Sequence, residues 1–530
     1  MHTAVGRLRR ELIDHWPSYV VILAGFVFQI LLITRSFDFV LTNLLPDDAF
    51  YYFQIARHIV LGDGSTFDGG NPTNGYHPLW MVILLPIYAL FSVGGTFDIA
   101  PIYVSLALLS VFNVITAVIL FRLVARITSD IYIQAAALLV WVANPFVFTE
   151  SLNGLETSIS LLFLVSFFTM TLTALQRNET KYFVWAGVLA GLMMLSRLDL
   201  VMYLVAVLLY CVFVYGIRAS VRPVLSMGLA ATVVVAPWFI WNLTHFHMLM
   251  TAASNASAYI NHLLIVQDNG ASAAQAIKAV FYSLVVYGID LFNRTGAAWL
   301  LFVGTGAGLV LLLRREPVEK SVRDVLVLGT VFLLGFALLF CANAGVRFTV
   351  RSWYFVSFNL FFSLQMAWVL DRLFGVSALK KKALTLFVLL LLGSYFISWY
   401  STLRNQFSNE RAMFAMATWM NETLPANTPV GVFNAGVEGY FSHVRVINLD
   451  GLVNNSAYEA MKDRKLWSYI LDQKIQYIAD FELYLTYRYK SVLDTPDFVH
   501  ELTPVHAVSV RDFKRNMSSL TIYSVPKTHE

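Results

Sequence analysis

The chain has 530 residues, of which 58% are hydrophobic and only 13% charged, against roughly 25% charged in soluble proteins. That balance excludes an ordinary soluble globular protein, and its two cysteines, Cys211 and Cys341, both inside apolar segments, exclude a disulfide framework. The formal net charge of +4 carries no nucleic-acid signal, because Arg and Lys sit in short runs between apolar segments, where membrane topology accounts for them.

Stretches of about twenty residues almost without charge are long enough to cross a hydrocarbon core, and in lipid they must be helical. In chain order these spans fall at about 17–36, 100–121, 131–148, 157–176, 181–195, 199–216, 223–243, 296–313, 323–342, 353–372 and 383–402. No small-residue cleavage site follows the first, so it is expected to stay as an anchor. Two more apolar segments, 78–94 and 276–292, are short or interrupted. With about eleven spans and the N-terminus in the cytoplasm, the basic runs at Arg7/Arg9/Arg10, Arg122/Arg126, Arg177/Lys181, Arg218/Arg222, Arg314/Arg315/Lys320/Arg323 and Lys380/Lys381/Lys382 fall inside. Counting the two doubtful segments as spans would put three of these runs outside. They are therefore expected to be re-entrant or interfacial helices.

After Arg404 the composition becomes that of a small α/β domain. An amphipathic stretch from Glu410 to Leu424 leads to expected strands at Val430–Phe433, Val444–Leu449, Ile475–Ala479 and Leu520–Ser524. The expected architecture is an α-helical polytopic membrane domain at 1–402, followed by an α/β domain at 403–530 on the periplasmic or extracellular side of the cell membrane.

That topology exposes 37–76, the turns near 149–157, 196–199 and 343–352, and the loop 244–275 on the outer face. The chemically unusual residues lie in these segments. Pro46 followed by Asp47-Asp48 marks a helix start. Helical spacing puts Asp47, Tyr51, Gln54 and His58 on one face and Ala49, Phe53, Ala56 and Val60 on another, which predicts an amphipathic helix lying at the membrane surface. One Asp suits a cap; a carboxylate with a raised pKa at a membrane–water boundary suits a general base. The following loop, Gly62 to Trp80, is dense in Gly, Asn and Pro and predicts an ordered path of turns. His77 precedes Pro78 at a helix start, where free backbone donors favour an anion, although a plain cap beside an interfacial Trp80 fits as well.

The Asp47-Asp48 pair opening a helix after the first span, the Gly-rich turns, and Asn74-Gly75-Tyr76-His77-Pro78-Leu79-Trp80 resemble bacterial membrane glycosyltransferases of the GT-C superfamily. The resemblance is to the branch of protein mannosyltransferase-like, aminoarabinose-transferase-like and arabinofuranosyltransferase-like enzymes. It covers the membrane part to about residue 402 in layout and residues 45–80 as a motif. The Asp-Glu pair and the doubled proline after His of the protein mannosyltransferases are missing, which weakens the case for a protein acceptor. The resemblance implies an inverting transfer on the outer face. The donor would be a polyprenyl-phosphate-linked sugar and the acceptor a hydroxyl of a glycan, lipid or protein, with Asp47 or Asp48 as base and membrane lipids around it.

Such a reaction needs contacts for the sugar, cations for the leaving phosphate and an apolar groove for the lipid. For the sugar or acceptor the candidates are Glu156, which opens a helix in Asn153-Gly154-Leu155-Glu156-Thr157, with Asn74, Tyr76, Arg197 and Asp199. A Glu in a first turn also complements the helix dipole, and Arg197 and Asp199 can simply pair with each other. For the phosphate the candidates are Tyr52, His77, Arg347 and Arg351. The two arginines sit in an outer turn against the positive-inside trend, and Arg binds phosphate bidentately, though snorkelling to headgroups would also hold them there. Phe355 to Phe362 would line a lipid groove or serve ordinary packing. GT-C enzymes can carry a divalent metal, but the sequence has no His/Asp/Glu cluster with ligand spacing and indicates no cofactor. Phe433-Asn434-Ala435-Gly436 and Asn448-Leu449-Asp450-Gly451 follow expected strands, where α/β sheets bind ligands or merely turn. A lipid or glycan transporter or flippase would carry inverted repeats and mid-membrane charges, whereas here the unusual residues gather at one face. A non-catalytic glycan-assembly protein stays open.

Overall fold

The computed structural model describes residues 11–91, 98–267, 273–294, 318–348, 351–374, 378–403, 407–495, 498–511 and 517–526. The span expected at 296–313 lies outside the described residues. Among those described, six helices are long and apolar enough to cross a membrane: Trp16–Ile33, Ala100–Val124, Thr157–Arg177, Leu198–Phe246, Lys320–Val346 and Lys381–Tyr400.

Several expected spans differ in form. The segment 131–148 is two helices, Ile131–Val142 and Pro145–Ser151, bent by 56°. Asn144 causes the break, because its side chain accepts from Phe146 N and Pro145 takes the first helical position. The segments 199–216 and 223–243 run on through one long helix, Val201–Phe246, interrupted at Gly216 with φ 73° and ψ 164°, a conformation open to glycine. The segment 353–372 opens with a tight turn, Ser352–Tyr354, before the helix Phe358–Phe374.

The helix α1, Asp47–Leu61, begins after the extended Pro46 and ends at Gly62 in the left-handed region, φ 95°. The sequence predicts a surface helix with a solvated polar face, and the structure corrects that. Residues Ala49 to Arg57 are all buried, because the C-terminal domain covers the polar face. The Tyr51 hydroxyl donates to Phe433 O at 3.4 Å and accepts from Ala435 N at 3.2 Å. Arg57 donates to Tyr440 O at 2.9 Å and lies 4.0 Å from the Tyr440 ring.

Next comes α2, Pro78–Phe91, only 14 residues long with Pro86 inside, too short for the roughly twenty that a straight crossing needs. The helix α3, Ala252–His262, is capped by Thr251, whose side chain accepts from Ser254 N at 3.2 Å. Its Ala256 and Ile260 join a core with Met461, Leu466 and Ile470 of the C-terminal domain. The helix α4, Ala273–Arg294, leaves Ile277, Phe281 and Tyr282 exposed.

The C-terminal sheet contains β1 Pro429–Val432, β2 Arg445–Asn448, β3 Tyr477–Phe481, β4 Thr503–Arg511 and β5 Met517–Ser524, in the order β2-β1-β3-β5-β4. β1 is parallel to β2 and β3, and β5 is antiparallel to β3 and β4. Parallel neighbours need crossovers; α5, Gly436–Phe441, follows β1, and the helices Asn455–Lys462 and Leu466–Asp472 precede β3. The four expected strands form within a few residues of their predicted places. β4 was not expected, since an edge strand of alternating polar residues makes no apolar run.

Candidate active site

Where the helix ends meet the C-terminal domain there is a cavity of about 130 Å³. Nine of the eleven residues singled out from the sequence line it: Asp48, Tyr52, Tyr76, His77, Glu156, Arg197, Asp199, Arg347 and Arg351. They arrive on five separate segments. Asp48 and Tyr52 come from the first turns of α1, and Tyr76 and His77 from the loop leading into α2. Glu156 stands just before the helix Thr157–Arg177, and Arg197 and Asp199 lie in the turn after Thr180–Ser196. Arg347 and Arg351 flank the chain between Lys320–Val346 and Phe358–Phe374. The C-terminal domain supplies Leu452.

One end of the cavity is a polar network. The Tyr52 hydroxyl donates to Glu156 Oε2 at 3.0 Å and accepts from His77 N at 3.0 Å. His77 Nε2 is 3.9 Å from Glu156 Oε1, and burial lowers the pKa of the ring, which favours neutral imidazole. Among the described residues His77 Nδ1 has no hydrogen-bond partner. Arg197 and Asp199 do pair, through Nε–Oδ1 at 3.2 Å and Nη2–Oδ2 at 2.7 Å. Arg197 also donates to Trp353 O at 3.0 Å, lies 4.4 Å from the Tyr354 ring and comes within 3.9 Å of Glu156. Asn343 links this pair to the phosphate candidates: it donates to Asp199 Oδ2 at 3.0 Å and accepts from Arg347 Nη1 at 3.4 Å. Arg347 Nη2 also donates to Ser254 O at 3.0 Å. Arg351 is exposed, with its guanidinium 5.9 Å from the Trp353 ring.

The two adjacent aspartates part company. Asp48 is half-buried at the cavity wall. Burial raises its pKa, Arg351 pulls it back down and Glu156 pushes it up. Asp47 does not line the cavity. Its carboxylate accepts from Gly436 N at 3.2 Å and Val437 N at 2.7 Å, at the start of α5. There is no room for a side chain at Gly436, where a Cβ would meet Asp47 O at 2.2 Å. Asn74, read from the sequence as a sugar contact, is likewise committed elsewhere. Fully buried, it donates to Asn242 Oδ1 at 3.1 Å and accepts from Ala252 N and Asn455 Nδ2 at 3.0 Å each.

These ties settle what the two strand-end loops hold. The loop after β1 receives Tyr51 and Asp47 of α1, and Asp480 accepts from Phe433 N and Asn434 N at 2.9 and 3.1 Å. In this structure its crevice is filled by the chain itself, not left open to an acceptor. Buried carboxyls crowd there: burial, then neighbouring charge, raises Asp47 to about 7 and Glu410 to about 8. Glu410 Oε1 accepts from Asp47 N at 3.2 Å. The loop after β2 does reach the cavity. Asp450 Oδ1 accepts from Leu452 N at 2.8 Å, and Leu452 O packs so closely on Gly75 that a Cβ there would come within 1.9 Å.

Sequence reasoning missed Thr251, Ser254, Asn343, Trp353 and Tyr354, which carry no charge pattern, and put Tyr51 on the polar face of α1 without a role. The Phe355–Phe362 run packs inward: Phe355 lies against Phe336 and Phe340, and Phe361 against Phe332 and Phe168. It is helix packing, not a lipid groove. A wider cavity of about 760 Å³ adjoins the first across Met250, lined by His245, His247, Tyr458, Glu459 and Lys462 among others. Among the described residues no group of three His, Cys, Asp or Glu side chains is placed to hold a metal ion.

Residues 78–241 match the dolichyl-phosphate-mannose-protein mannosyltransferase family, and residues 401–523 match a domain of unknown function (DUF8728). The fold is similar to the crystal structure of ArnT from Cupriavidus metallidurans bound to undecaprenyl phosphate. The TM-score is 0.53 at 11% sequence identity, over 95% of this chain and 97% of that one. No curated protein matches the sequence. The chain is thus similar to that mannosyltransferase family over part of its membrane region and to ArnT in its fold along nearly its whole length.

Proposed function

We propose that the chain transfers a sugar from a polyprenyl-phosphate donor to an acceptor hydroxyl at the outer face of the cell membrane, with Asp48 as general base. Residues 1–402 bind the donor, and the C-terminal domain at 403–530 closes the site from the extracytoplasmic side. The observation that carries the reading is the cavity in which the half-buried Asp48 faces Glu156, Arg347 and Arg351.

In this mechanism the acceptor oxygen attacks the anomeric carbon as Asp48 takes its proton, and the bond from that carbon to the phosphate oxygen breaks. The configuration inverts, and the polyprenyl phosphate leaves with one more negative charge. Burial supports the base, since a carboxylate with a raised pKa is a stronger proton acceptor. Arg347 and Arg351 neutralise the charge that develops on the leaving phosphate. Tyr52, His77 and Glu156 hold the sugar hydroxyls, and Tyr76 packs beside them. The Arg197–Asp199 pair fixes that wall rather than touching substrate. The acceptor approaches through the wider cavity, past Met250.

ArnT, whose fold this chain shares, was crystallised with undecaprenyl phosphate, which makes that lipid the first probe. Purified protein in nanodiscs is given a panel of undecaprenyl-phosphate-linked pentoses and hexoses with envelope glycan and lipid fractions. Release of undecaprenyl phosphate that depends on an added acceptor supports the reading. Lipid translocation across a vesicle bilayer without any such release contradicts it.

A further inference from the structure

The Tyr484–Arg488 segment of the C-terminal domain has no part in the reaction as described. Arg488 Nη2 donates to Asn261 Oδ1 at 3.1 Å, and Asn261 Nδ2 donates to Phe348 O at 3.0 Å, one residue beyond Arg347. A cation of the sheet domain is thus tied through α3 to the turn that carries the phosphate candidates. Among the described residues neither Arg351 nor Arg488 has a carboxylate at ion-pair distance. Both act electrostatically on the same hydroxyl groups, those of Tyr287 on α4 and of Tyr484. Arg351 has Asp48 as its charged neighbour, but Arg488 has no such carboxylate among the described residues, and a cation kept that way at a membrane boundary needs an anion to offset it.

The surroundings add apolar surface. Leu483 and Tyr487, beside Arg488, are 65% and 64% exposed, and Phe281 and Tyr282 of α4 are 68% and 67% exposed. A soluble domain rarely leaves such residues in water; at a membrane interface they enter the acyl region while the cation stays at the headgroup level. Positive charge flanked by apolar side chains matches a phosphate carrying a hydrocarbon tail.

We propose that Arg488 is a further cation of the lipid-phosphate site, supplied by the C-terminal domain, and that Leu483 and Tyr487 seat this domain in the membrane where the polyprenyl chain leaves the cavity. The proposal rests on the polyprenyl-phosphate reading above. It makes the C-terminal domain part of the donor site, so that donor binding and domain seating support each other.

The test is binding of undecaprenyl phosphate and of uncharged undecaprenol to the full chain in phosphatidylcholine nanodiscs. Losing a charge-assisted contact should raise the undecaprenyl phosphate Kd of R488Q about tenfold, with R488K in between and undecaprenol binding unchanged. Equal Kd values for wild type and R488Q overturn the proposal, as does an equal loss for undecaprenol, which would mark a packing role. An effect of R488Q seen only as weaker association with phosphatidylglycerol vesicles also overturns it, since bulk headgroups would then be the partner. Failure of the Asp48 reading is separate: it shows as sugar transfer surviving D48N, whatever R488Q does to lipid binding.

Discussion

Asp47 and Val437, 390 positions apart, meet through a 2.7 Å hydrogen bond from backbone amide to carboxylate. Gly436 donates to the same carboxylate at 3.2 Å. In a parallel α/β sheet the crevice beyond the strand ends, next to a helix N-terminus, is where an anionic ligand sits. Here α1 puts its own carboxylate there. The double aspartate divides its work, with Asp47 docking the C-terminal domain and Asp48 turned to the cavity.

Asp47→Ala removes both acceptors and leaves two buried N–H groups unsatisfied, at a cost of about 1–3 kcal/mol each. Hydrogen exchange at the Gly436 and Val437 amides should accelerate, and limited proteolysis should release the C-terminal domain sooner. Unchanged protection would mean that the docking contact contributes nothing.

The dock should weaken as pH rises. Burial, followed by the neighbouring acids, raises Glu410 from 4.5 to about 8 and Asp47 from 3.8 to about 7. The folded state therefore binds more protons than the unfolded chain between these values. Their contribution is complete below about pH 4 and is lost as pH climbs towards 8. Amide protection at Gly436 and Val437, corrected for intrinsic exchange, should fall between about pH 4 and 8 and level off above that. Glu410→Gln keeps the acceptor for Asp47 N and should flatten that fall.

Tyr52→Phe tests the polar end of the cavity. The hydroxyl bridges Glu156 Oε2 and His77 N, and its loss leaves a buried carboxylate short of a donor. A penalty of about 1.5–3 kcal/mol for a charged hydrogen bond corresponds to roughly a ten- to hundredfold drop in kcat/KM for the donor. The KM for the acceptor should stay put.

Met250 stands between the two cavities. Met250→Trp should raise the acceptor KM with little effect on undecaprenyl phosphate binding. Loss of lipid binding in this variant would show that the wider cavity is no acceptor route.

Much of the candidate site was legible in the sequence because the cavity is lined by charged residues from short turns between apolar runs. Arg347 and Arg351 stood against the topological trend, and Asp48, His77 and Glu156 stood at helix starts. What could not be read was the pairing of distant segments. Asn74 looked like a sugar ligand because nothing local announces Asn242 and Asn455, which take up its amide. The polar face of α1 looked solvated because the domain covering it lies nearly four hundred residues away. The 56° bend after Val142 was hidden inside an apolar run, although Asn144-Pro145 was its visible cause.

The central claim is that Asp48, and not its neighbour, takes the acceptor's proton. The decisive measurement is sugar transfer by D48N alongside its affinity for undecaprenyl phosphate. Loss of the base should lower turnover by about a hundredfold or more, with the lipid still bound about as tightly as by the wild type. Near-normal transfer by D48N, or a D47N variant that is dead while D48N works, would contradict the account.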